Sequence, residues 1–209
     1  VQQRSKETVE AILEAARQVF AVQGYAGGTT NRIAQRAGVS IGSFYQYFPN
    51  KDAIVVALME RHMTETSAMY EQLMQHADSA DLEVEQIVRH FVTAMLTVYQ
   101  KEPSYYRVIF EEAPRPLGIH TARARIHEAV AQALATQIGR LVSVRLHNPI
   151  VSAHLLVEVA TSSIRHFVLH PPPGLQPEVF AEELIQMIMA YLTPPGTPTV
   201  AQIKGKPGD

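Results

Sequence analysis

Cysteine is absent from all 209 residues, which excludes a disulfide framework and any cysteine-ligated metal centre. No apolar run approaches the roughly 20 residues that a membrane-spanning helix needs, and no signal peptide opens the chain; a cytoplasmic protein with no membrane partner is expected. Period-two alternation never lasts long enough to argue a strand, and no internal repeat is visible. A glycine-rich phosphate loop, a serine-nucleophile motif and a paired-carboxylate signature are also missing. Neither catalysis nor a bound cofactor is expected.

Excess basic charge is lacking too, since the formal net charge is −2. The charge is nevertheless unevenly spread. Residues 1–51 hold six basic side chains (Arg4, Lys6, Arg17, Arg32, Arg36, Lys51) against Glu7, Glu10 and Glu14, a balance of +3 that leaves −5 for the remainder. A basic head on an acidic body suits a protein that turns one end toward nucleic acid.

The head contains the most informative stretch, from Thr29 to Lys51. Thr29 or Thr30 can cap a short helix, on which Ile33, Ala34 and Ala37 share an apolar face. Gly38 then supplies a left-handed turn, Val39 plugs the core, and Ser40 can cap a second helix. Phe44 and Phe48 anchor that helix from behind, and Ser43, Gln46 and Tyr47 fall opposite them beside Gly42. A helical glycine costs about 1 kcal/mol relative to alanine, so Gly42 calls for close approach of another molecule to the backbone. After Pro49-Asn50, Lys51 stands in the first turn of a helix, where the dipole disfavours a cation unless an anion docks there. Tyr45 and Tyr47 can donate to neighbouring phosphates. Two short helices about a glycine turn are what a helix-turn-helix needs to seat one helix in a major groove.

Residues 9–16 (Val-Glu-Ala-Ile-Leu-Glu-Ala-Ala), Phe20, Gly24-Tyr25 and the pattern Ile-Ala-x-x-Ala-Gly-Val-Ser-x-Gly-x-x-Tyr-x-Tyr-Phe-x-x-Lys ending at Lys51 resemble the DNA-binding domain of TetR-family transcriptional regulators. The resemblance implies an all-α homodimer on a near-palindromic operator, usually a repressor, released by a small molecule held in the C-terminal domain. It implies phosphate contacts at Thr29, Thr30, Tyr45, Tyr47 and Lys51, and base-edge proximity for Asn31, Ile41, Gly42 and Ser43.

The expected organisation is a helix-turn-helix head (1–51), a helical effector-binding and dimerisation body (52–193) and a Pro/Gly-rich tail (194–209). The first helix starts near Val9 and ends near Gly24, with Arg4 and Lys6 as a solvated end before it. In the body, helices are expected over residues 52–76, 82–101, 104–112, 119–146, 150–170 and 177–192. Helices 150–170 (Ala153, Leu156, Val157, Ala160, Thr161, Ile164) and 177–192 (Phe180, Leu184, Ile188, Met189, Leu192) are expected to form the dimer surface. Met63, Tyr70, Met74, Phe91, Met95, Tyr99, Tyr106 and Phe110 fall on helices that surround the effector in the resembled family, and suit a hydrophobic or aromatic ligand. His62, His90, Arg107 and Glu111 are further polar candidates. His166 with His170, and His120 with His127, have helical spacing for metal ligation, but only Glu158 is a candidate third ligand, and no metal is expected. The alternative is a helical carrier or interaction module whose DNA-binding head is vestigial.

Overall fold

The computed structural model describes residues 2–80, 83–114, 128, 131–132, 134–136 and 148–193, and every regular element among them is helical. Most of the expected 119–146 helix, the His120–His127 pair and the 194–209 tail lie outside the described residues. The helices are α1 (Gln2–Gly27), α2 (Thr30–Ala37), α3 (Ile41–Tyr47), α4 (Lys51–Ala80), α5 (Val84–Lys101), α6 (Pro103–Arg107), α7 (Pro149–Leu169) and α8 (Pro177–Leu192). A π-helical turn, Val108–Glu112, continues α6 and is closed by the Ala113 amide donating to the Val108 carbonyl at 3.0 Å.

Three expected boundaries move. α1 begins at Gln2, so Arg4 and Lys6 are exposed side chains on its first turns rather than a loose end; Thr8 Oγ1 donates to the Arg4 carbonyl at 2.9 Å there. Its far end does not stop at Gly24 either. The helix kinks at that residue (φ 65°) and resumes to Gly27, a left-handed step that glycine takes at little cost. α4 likewise runs to Ala80 instead of stopping near 76.

The head is a three-helix unit with its own core. Ile12, Leu13, Ala16, Val19 and Phe20 of α1 are buried, as are Ile33 and Ala34 of α2, Phe44 of α3, and Phe48. Each large side chain so buried contributes about 1.5–3 kcal/mol. Gly28 makes the close corner between α1 and α2 possible, since a Cβ there would sit 2.4 Å from a Phe20 ring carbon. Thr29 is the residue that caps α2, accepting from the Arg32 amide at 3.4 Å. Gly38 ends the helix in the left-handed region (φ 70°). Ser40 caps α3 by accepting from the Ser43 amide at 3.0 Å, and Asn50 Oδ1 accepts from the Ala53 amide at 2.9 Å as α4 begins.

The body is built on α4 and α5. His62 meets Tyr99 while Tyr70 meets Phe91, so residue numbers rise on one helix as they fall on the other and the pair is antiparallel. α7 and α8 cover α5. Arg89 forks onto Glu182 at 2.6 and 3.2 Å, Phe167 stacks on Phe180 at 4.1 Å between centroids, and Ser152 and Tyr191 pair their hydroxyls at 2.8 Å. α1 joins head to body, packing on α6 and the π turn, with Arg17 paired to both Glu14 and Glu102.

The residues expected to form the dimer surface are in large part monomer core: Ala153, Leu156, Val157, Ala160, Thr161, Ile164, Leu184, Ile188 and Leu192 are all buried. The free apolar face lies elsewhere on the same two helices. Val151, Leu155, Val179, Met187 and Tyr191 each expose between 45% and 59% of their surface.

Candidate nucleic-acid interface and effector site

The outer side of α2 and α3 presents most of the expected DNA-facing residues. Thr29, Asn31, Ile41, Gly42 and Tyr45 are exposed, and Thr30, Ser43 and Tyr47 are half-buried. Thr30 Oγ1 lies 3.2 Å from the Tyr45 hydroxyl, so two candidate phosphate contacts from different helices form one polar pair. A Cβ on Gly42 would meet only Ser40 Oγ, at 3.8 Å. Among the described residues, nothing packs close enough to Gly42 to require a glycine there. The Ser43 hydroxyl, 2.8 Å from Ser40 Oγ, is engaged in the helix cap, so a contact from it to a base competes with capping. Arg32 and Arg36 turn away toward α1. Arg32 Nη1 donates to the Gly27 carbonyl and Gln23 Oε1, both at 2.7 Å, and Arg36 Nε to Gln18 Oε1 at 2.5 Å.

Lys51 is held by Tyr25. Its Nζ donates to the Tyr25 carbonyl at 2.7 Å and sits 3.8 Å over the ring centroid. An ammonium has three protons, so the carbonyl bond does not use all of the group's donors. The Tyr25 hydroxyl donates to Asp52; burial, and then that carboxylate, push its pKa up to about 12. The Tyr25 amide donates to Glu112 Oε2 at 2.8 Å. No local sequence pattern marks this hub. Glu112 is 87 residues from Tyr25, and the nearest sequence signal was the Gly24-Tyr25 pair.

Of the expected effector residues, Tyr99, Tyr106 and Phe110 gather around the His62 ring, with centroid separations of 4.8–6.3 Å within the group. Tyr70 and Phe91 form a second pair at 4.6 Å, and Met63 and Met95 are buried on the same two helices. The Arg165 guanidinium lies 4.8 Å over the Phe110 ring. Burial, helped by the charge of Arg165, lowers the His62 pKa from 6.5 to about 4, so the ring is neutral near pH 7. The other polar candidates stand outside the cluster. His90 is exposed, Arg107 donates to the Leu169 carbonyl at 2.7 Å, and Glu111 pairs with His170 at 2.8 Å. The His166 and His170 rings are 5.1 Å apart, but no group of three metal-capable side chains occurs among the described residues, and no helix there is long and apolar enough to cross a membrane.

The π turn connects both regions. Phe110 touches the ring cluster and Glu112 holds Tyr25, two residues apart on one turn. Isolated π turns cluster at functional sites.

Residues 12–58 match the family profile of bacterial regulatory proteins, tetR family, and residues 83–192 that of the tetracyclin repressor-like C-terminal domain. The transcriptional activator FasR of Mycolicibacterium smegmatis is 28% identical over 164 residues, spanning 78% of this chain and 73% of that protein. In fold, the chain is similar to a TetR-family regulator from Mesorhizobium loti (TM-score 0.72, 17% identity, 90% of this chain and 96% of that one). It is also similar to FadR from Bacillus subtilis solved with stearoyl-CoA (TM-score 0.67, 16% identity, 88% and 98%).

Proposed function

We propose, from the premise that the chain belongs to the TetR family of ligand-responsive DNA-binding transcriptional regulators, that it is a repressor released from a palindromic operator by a small hydrophobic effector. The observation that carries the reading is the exposed face of α2 and α3, with its unobstructed glycine at Gly42 and the anchored ammonium of Lys51 beside it. α3 enters the major groove with Asn31, Ile41, Gly42 and Ser43 nearest the bases. Ile41 offers only apolar contact, as to a thymine methyl. Thr29, the Thr30–Tyr45 pair, Tyr47 and Lys51 take the flanking phosphates, which set position without reading sequence.

The effector binds among the rings of α4, α5, α6 and the π turn. FadR of Bacillus subtilis, a neighbour in fold, was solved with stearoyl-CoA, which supports an effector with a long apolar body here. Moving Phe110 moves Glu112 on the same turn, and with it the Tyr25 hub that holds Lys51 and Asp52. Binding in the body thereby changes the position of a phosphate-binding group in the head.

The test is the salt dependence of binding to a palindromic duplex recovered from a random-sequence pool. Lys51→Ala and Tyr47→Ala are expected to weaken binding, the former reducing the slope of log affinity against log salt by about 1. Slopes and affinities equal to wild type in both variants would remove the phosphate assignment.

Dimerisation uses the free face of α7 and α8. Two protomers joined there place their reading helices about one DNA turn, ~34–36 Å, or a multiple of it apart. Leu155→Glu puts a charge in the middle of this face and is expected to halve the mass measured by light scattering while leaving the helical circular dichroism unchanged. A dimer of wild-type strength in that variant would move the interface elsewhere.

A further inference from the structure

The hydroxyl of Tyr70 is fully enclosed and has no hydrogen-bond partner among the described residues. Leaving a buried donor unmatched is costly, and native structures seldom do so without a reason. Among the described residues, Tyr99 is the titratable group that bears on this hydroxyl. Eight residues earlier on α4, on the same side of the helix, is another buried polar group, His62. The two are separated by about 12 Å at the helical rise. On α5, Phe91, Met95 and Tyr99 follow one another at four-residue steps, closing the first and last rungs against Tyr70 and His62. His62 Nε2 stands 3.5 Å from the Tyr99 hydroxyl, at the outer limit of a hydrogen bond. The cation Arg165 sits at that end, over Phe110.

We infer that Tyr70 is the specificity-determining residue of the effector site, donating its O–H to an uncharged carbonyl oxygen on an elongated apolar molecule. This rests on the effector reading above and adds the chemistry of the ligand to it. No lysine or arginine among the described residues bears on the Tyr70 hydroxyl, which disfavours a carboxylate there, since an unpaired buried charge costs far more than an unpaired dipole. An alkane meets the apolar side chains and leaves the hydroxyl as it is. A ketone, ester or similar neutral carbonyl satisfies the donor, and a chain of about ten carbons spans the distance toward His62.

Three matched probes separate these classes: undecan-2-one, undecane and undecanoate, each titrated at pH 7.5 as a competitor of Nile red bound to the full chain. Nile red affinity is measured separately for wild type and Tyr70→Phe. The ketone is expected to displace the dye from wild type at least tenfold more tightly than the carboxylate does. Tyr70→Phe is expected to weaken the ketone about fivefold to tenfold and leave undecane unchanged. That variant loses only an unpartnered hydroxyl, so it keeps or raises the wild-type melting temperature, which establishes that it is folded. Equal losses for ketone and alkane, no loss for either, or tighter binding of the carboxylate would each overturn the assignment. Failure of Nile red to bind wild type at all would instead remove the effector site itself.

Discussion

Phe44→Ala is expected to destabilise the head by about 3–5 kcal/mol and to abolish DNA binding while the protein remains dimeric. Phe44 has no exposed surface and meets Tyr45 edge-on at 5.4 Å and Phe48 at 6.3 Å between centroids. It is the inward ring of a seven-residue helix that makes few backbone hydrogen bonds of its own. A helix so short is unstable in isolation, so its position depends on this one side chain against α1 and α2. The cavity left by alanine is not refilled, because the nearest large residues are already committed to the same core. Thermal unfolding followed by circular dichroism, with light scattering and duplex binding on the same sample, reads all three consequences. A variant that melts with wild type and still binds DNA would show that α3 is held by something other than Phe44.

Acid is expected to weaken the body through His62. Its pKa is lowered from 6.5 to about 4, first by burial and then by Arg165, so between those values the unfolded chain binds a proton that the folded one refuses. Stability therefore falls as pH drops from about 6.5 to about 4, by about 3 kcal/mol in total. Above pH 6.5 the contribution is complete. Glu14 and Glu182, each lowered to about 2, chiefly by hydrogen bonds from Arg17 and Arg89 respectively, lose their stabilisation only below their ordinary value of 4.5. The interval from 4.5 to 6.5 thus separates the histidine from these carboxylates. His62→Phe keeps a ring in the cluster and removes the titrating group. Urea midpoints measured across that interval are expected to fall less steeply in this variant than in wild type; parallel curves would show that another group sets the acid limit.

The reading helices were legible because their determinants are local. The Thr29 cap, the Gly38 turn, the Ser40 cap and the Phe44–Phe48 anchor each act within a few residues, and each stands where the spacing placed it. The hub at Tyr25 was not legible, because Glu112 reaches it from another helix far along the chain. Helical periodicity also fails on α7 and α8 for a definite reason. Both helices carry apolar residues on two faces, so the pattern marks a helix without saying which face its own body covers. Packing on α5 assigns Ala153, Leu156 and Ile164 to the interior and leaves Val151 and Leu155 outside. Similarly, methionine and aromatic stripes pointed to α4 and α5, but only the antiparallel register shows that Tyr70 ends opposite Phe91, with its hydroxyl unmatched.

The most direct measurement is selection of bound duplexes from a random-sequence pool by the wild-type chain, with Phe44→Ala run in parallel. Enrichment of a near-palindromic sequence whose half-sites are one helical turn, or a multiple of it, apart is expected with wild type, and no enrichment with the variant. A wild-type pool that stays random after repeated rounds would contradict it, and the helical carrier with a vestigial head would then describe the molecule.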